Sequence, residues 1–163
     1  MPPRPIVPGA VTVCPMTVPS PRAAVRRDVS IAAGPRRAFA ALVGLTVLFV
    51  FLQSLTAGEF ISDGLSQGAK EVWTDAHGLM AYPIMVFALA AAVVGALRLR
   101  EARGVVVGAA ALFVLAVVQW LLGHCITTLG WDWVTPWHVV LAFVVYGLSI
   151  WLSVRSAALR RGR

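Results

Sequence analysis

The chain has 163 residues, of which 59% are apolar and 13% charged, and its formal net charge is +7. Soluble domains carry about 45–50% apolar and roughly 25% charged residues, so this composition excludes an ordinary water-soluble domain. The 14 basic and seven acidic residues are gathered into short clusters with long uncharged stretches between them. Uncharged apolar runs of about 18 residues or more read as transmembrane helices.

Residues 1–38 come first and differ from the rest. They hold eight of the ten prolines, together with Arg22, Arg26, Arg27, Arg36 and Arg37, and show no helical apolar stripe. Such a segment buries too little surface to offset its ordering entropy, so it reads as a disordered Pro/Arg-rich cytoplasmic arm. No apolar run follows the first residues as in a signal peptide. Met16 is an alternative start, and the Ala/Arg/Gly/Pro/Val-rich usage suits a GC-rich bacterial genome.

Four apolar runs follow, bounded by Arg37 and Glu59, Asp75 and Arg98, Arg103 and Asp132, and Asp132 and Arg155. Each exceeds the ~20 residues needed to cross a ~30 Å hydrocarbon core at ~1.5 Å per residue. The first has a polar outer end, with Gln53, Ser54 and Thr56. No Asp, Glu, Lys or Arg lies inside any run, which argues against a proton pump or an ion-coupled transporter. The predicted fold is all-α: a polytopic up-down bundle of four transmembrane helices over residues 39–157, ending in a basic cytoplasmic tail, 158–163.

Charge placement orients the bundle. Thirteen of the 14 basic residues fall in the arm, the 98–103 turn and the C-terminal end from Arg155 onward, which share one side of a four-span chain. The other side has only Lys70, against Glu59, Asp63, Glu71, Asp75 and Asp132. Basic residues in short loops stay cytoplasmic, so a multi-pass protein of the cell membrane with both termini cytoplasmic is expected. The basic balance then reports topology and contact with anionic lipid, not nucleic-acid binding. Cys14 and Cys125 fall on opposite sides and cannot pair within one chain. A small buried apolar residue is the expected role of Cys125.

All three histidines lie on the outer side. His77 is placed in the first turn of the second helix, His124 near the end of the third, and His138 in the first turn of the fourth. Counted from the inner basic residues, they stand at about 32, 32 and 26 Å, close to one layer. Thr74-x-x-His77-x-x-Met80-Ala81-Tyr82 and Thr135-x-x-His138-x-x-Leu141-Ala142-Phe143 share one pattern, and Gln53 and Gln119 stand at matching places in the preceding helices. The chain therefore reads as two repeated helical hairpins.

In an up-down bundle the second and fourth helices lie on a diagonal, which makes His77 and His138 candidates for bis-histidine ligation of haem b near the outer face. Gly78 is placed to let a ring edge approach the backbone, and Pro83 to kink the second helix. Gln53 and Gln119 have two readings: interhelical hydrogen bonds, or donors that orient the ligand imidazoles. His124 has no repeat partner. It reads as a supporting donor or a headgroup contact, and as a third ligand only in a copper or zinc site with His77 and His138. Trp73, Trp120, Trp131, Trp133 and Trp137 form an aromatic belt, and Gly104-x-x-x-Gly108 permits close helix packing.

Gln119-x-x-Leu122-Gly123, a short outer loop, and a helix opening with His138 and Ala142 resemble one half of heme A synthase, over roughly residues 45–155. The same Gln and His pattern resembles short four-helix bacterial membrane proteins. Heme A synthase is built from two four-helix bundles with histidines on the even-numbered helices, and the resemblance implies that His77 and His138 are the ligand pair of a half that holds b-type haem. The acidic residue just before a His-Arg pair in that family's catalytic half is not matched: Asp75 stands two positions before His77, and Gly78 follows it. The oxidase activity is therefore not carried over. The expected function is a b-type haem-binding bundle for electron transfer or haem handling. Its expected partners are the bilayer, a membrane redox partner or quinone, and a second copy in a homo-oligomer. The alternative is a non-enzymatic membrane scaffold or assembly subunit without cofactor.

Overall fold

The computed structural model describes Met1 and residues 33–161. The expectations for residues 2–32, including the disordered arm, Met16 and Cys14, and for the last two residues lie outside the described residues. Four helices make up the fold: α1 (Ala33–Phe60), α2 (Gln67–Arg98), α3 (Arg103–Leu129) and α4 (Thr135–Arg160), with a 3-10 turn (Asp132–Val134) leading into α4. No strand occurs among the described residues.

Three boundaries differ from the sequence reading. α1 begins at Ala33, so Pro35, Arg36 and Arg37 belong to a helix and not to the arm. Pro35 sits in the first turn, where a missing N–H costs nothing. The Arg36 guanidinium donates to the carbonyl of Leu159 at 3.0 Å, in the last turn of α4, where carbonyls run out of intrahelical partners. Likewise α4 continues to Arg160, so residues 158–160 of the expected tail are helical.

α2 begins at Gln67, which makes His77 its eleventh residue and not a member of its first turn. Ser66 caps it, its hydroxyl accepting from the Ala69 amide at 3.4 Å. Lys70, Glu71 and Asp75 bounded the apolar run but do not end the helix. At ~1.5 Å per residue, 32 residues outreach a ~30 Å hydrocarbon core, and the surplus carries the charges. α2 runs through Pro83. α3 ends on Gly130, left-handed at φ 66, and the amides of Gly130 and Trp131 both donate to the Cys125 carbonyl. Glycine adopts that conformation without a Cβ penalty.

α1 and α3 each pack against α2 and α4, which leaves α1 with α3, and α2 with α4, on the two diagonals. The buried positions recur every three or four residues: Phe39, Val43, Thr46 and Val50 on α1, and Ala81, Ile84, Ala88, Ala91 and Gly95 on α2. α3 contributes Val105, Gly108, Ala109, Leu112, Ala116 and Gln119, and α4 contributes Val145, Ser149, Leu152 and Ser156. That spacing is the apolar seam of packed helices.

Many of these inner residues are small, while Leu48, Phe51, Val86, Leu97, Phe143 and Val154 point outward. Large outside and small inside is the arrangement of helices packed in lipid, where association rests on close backbone approach. The buried hydroxyls of Thr46, Ser149 and Ser156 donate to carbonyls of their own helices at 2.8–2.9 Å, so none is left unpaired. All four helices are long and apolar enough to cross a membrane, which fits a multi-pass membrane protein. Gly108 bears one close contact: a Cβ there would stand 2.7 Å from the Trp151 ring and 3.2 Å from Leu152. Gly104 meets nothing within 4 Å, so only the second glycine of that motif serves packing.

Candidate histidine site across the α2–α4 diagonal

Near the end of the bundle away from Arg36 and Leu159, His77 of α2 and His138 of α4 approach each other across the diagonal. Their ring centroids are 6.4 Å apart and the rings are inclined at 61°. His138 is the fourth residue of α4, whereas His77 lies three turns into α2. The long amino-terminal extension of α2 brings both to the same depth.

Each ring is held by the preceding helix of its own hairpin, by different means. Nδ1 of His77 is 2.9 Å from the main-chain oxygen of Gln53. A carbonyl can only accept, so Nδ1 carries the hydrogen and donates it, and Nε2 of the neutral ring keeps a lone pair. The Gln53 side chain turns back and donates from Nε2 to the His77 carbonyl at 3.3 Å. Thr56, three residues after Gln53, donates to the same Gln53 carbonyl at 2.8 Å and lies 3.4 Å from Nδ1. The Phe60 ring meets His77 edge-on at 5.4 Å.

In the second hairpin the contact is between side chains. Nε2 of His138 is 3.2 Å from the amide nitrogen of Gln119, a residue only 9% exposed. Oε1 of Gln119 and Nδ1 of His138 are buried without a partner. With the amide donating, Nε2 is the acceptor and Nδ1 holds an unused hydrogen. With the amide turned over, Oε1 accepts from Nε2 and Nδ1 offers a lone pair. In either arrangement one imidazole nitrogen is directed at no protein group. Unpaired buried polar atoms are costly and few in native proteins.

The remaining candidates do not join this pair. His124 is exposed on α3, stacked on Trp120 at 5.6 Å and bonded to Thr128 at 3.3 Å. Among the described residues no three His, Cys, Asp or Glu side chains gather to hold a metal. His124, exposed on α3, stands apart from His77 and His138 in this structure. Gly78 is exposed, and a Cβ there would meet nothing within 4 Å. A separate close approach occurs at Gly123, against the His138 ring. Cys125 is a half-buried free thiol. Of the tryptophans, Trp131, Trp133 and Trp137 are exposed at the histidine end, the first two stacked at 6.3 Å. Thr56 and Phe60 were not singled out in sequence as site residues. The available signal was spacing, since Thr56 lies one turn from Gln53 on the same helix face.

The donor set bears on what the pair can hold. Zinc takes three or four protein ligands, whereas two imidazoles on opposite sides suit a metal that brings its equatorial donors with it, as haem iron does. The ring centroids are 6.4 Å apart, and the Nδ1–Cε1–Nε2 edge of His138 faces α3 at Gly123 and Gln119. Nδ1 of His77 on a main-chain carbonyl is the support that fixes a ligand histidine in the tautomer with Nε2 free. His77 and His138 are the residues that would hold such a group. Comparison with known proteins finds no matching family, curated protein or solved structure.

Proposed function

We propose that this protein is a small b-type haem-binding membrane bundle in which His77 and His138 hold haem b near the outer face, serving electron transfer or haem handling. The observation that carries the reading is the diagonal approach of the two imidazoles, with His77 Nδ1 engaged by the Gln53 carbonyl and Nε2 left as a lone pair. When bound, the haem would supply one-electron chemistry at its iron. The chain would supply imidazole nitrogens from His77 and His138 to hold it, and a carbonyl that raises the basicity of His77. Gln119 orients His138, and Gln53 joins α1 to α2 beside His77.

Topology forms part of the same proposal. With basic residues held cytoplasmic, both termini are inside and the histidine end faces out, at the level where haem carboxylates reach water. A membrane redox partner or a quinone is the expected electron partner. The two hairpins are read as repeats because each pairs a glutamine with a histidine. The test is the absorption spectrum of detergent-purified protein from haem-replete cells, oxidised and then reduced with dithionite. A Soret band with sharp low-spin bands on reduction is the expected result. Absence of any Soret band would overturn the reading and leave a membrane scaffold or assembly subunit.

A further inference from the structure

Gly123 is an interior residue of α3 with no positive φ to require glycine, and glycine weakens a helix interior. Space accounts for it. A Cβ at Gly123 would stand 3.1 Å from Cε1 of His138, 3.7 Å from Nδ1 and 4.0 Å from Nε2. The His138 imidazole therefore lies edge-on against the α3 backbone. Gln119 is one turn earlier on the same face of α3 and meets the ring at Nε2 at 3.2 Å. One residue offers a polar contact, the other an absent side chain.

We infer that Gly123 and Gln119 together form a slot on α3 that sets the orientation of the His138 imidazole, with Gly123 the positioning residue that lets the Nδ1–Cε1–Nε2 edge of the ring dock on the backbone. The inference rests on the haem reading for its purpose, though not for its geometry. His77 has no such slot, since its ring is anchored by a main-chain oxygen. The slot compensates for the weaker anchor in the second hairpin.

The experiment uses the full chain in lipid nanodiscs, labelled with 15N at histidine, and compares Gly123→Ala with Gly147→Ala, where an added Cβ meets nothing within 4 Å. Gly123→Ala is expected to move the ring-nitrogen resonances of His138 and leave those of His77 and His124 in place, while Gly147→Ala moves none. In haem-loaded protein the same variant should lower haem retention roughly 10-fold, the lower end of the effect of disturbing a ligand's support. Unmoved His138 resonances in Gly123→Ala would overturn the slot. If Gly123→Ala fails to fold, Gly123→Ala/His138→Ala decides: recovery of the fold supports a ring filling the gap, and continued failure overturns it. A wild type without a Soret band, but with His138 resonances that respond to Gly123→Ala, would remove the haem reading and leave the slot standing.

Discussion

The two hairpins carry the same polar residues and use them differently. In α1–α2 the ring of His77 is bonded to a main-chain oxygen of Gln53, and the glutamine side chain serves only to reach the His77 carbonyl. In α3–α4 the ring of His138 is bonded to the side chain of Gln119 and pressed against the bare Cα of Gly123. A main-chain acceptor survives any substitution that keeps the helix, whereas a side-chain contact and a gap do not. The histidine of the first hairpin is thus anchored by the fold itself, and that of the second by two replaceable residues.

The comparison is sharpest at the glutamines. Gln119→Leu removes the one polar contact that His138 Nε2 makes among the described residues and should weaken haem retention by roughly 10–100-fold, read as haem per protein after purification. Gln53→Leu keeps the carbonyl that engages His77. It should cost about 0.6 kcal/mol, the average for a hydrogen bond between membrane helices, measured by denaturation in mixed micelles, and leave any haem spectrum in place. Equal large effects at both positions would erase the distinction between the hairpins.

Packing separates them too. Gly108→Ala forces a Cβ to 2.7 Å from the Trp151 ring and should destabilise by about 1–3 kcal/mol, as overpacking does. Gly44 of α1 has no neighbour within 4 Å, so Gly44→Ala should be neutral or stabilising by up to roughly 1 kcal/mol, by the same denaturation assay. The smallest effect belongs to His124→Ala. Its ring stacks on Trp120 on the outside of α3, so the variant should keep the wild-type spectrum.

The four helices were legible because runs such as those between Asp75 and Arg98 are too long and apolar to be anything else. Their ends were less so. Charged residues stop an apolar run but not a helix, and Lys70, Glu71 and Asp75 therefore concealed the first two turns of α2 and misplaced His77 in it. The repeat of Gln and His pointed to the right pairs of residues, since Gln53 meets His77 and Gln119 meets His138. Sequence could not tell main-chain from side-chain bonding, because both need only a residue at that height. The contact of the His138 ring with Gly123 was not legible either, because the two lie on different helices and nothing in the spacing links them.

The most direct measurement of the central proposal is the optical spectrum of His77→Ala and His138→Ala, each recorded before and after adding free imidazole. Loss of either axial nitrogen should abolish the six-coordinate low-spin spectrum, and imidazole diffusing into the vacated place should restore it in both. A low-spin spectrum that persists unaided in either variant would contradict ligation by the His77–His138 pair.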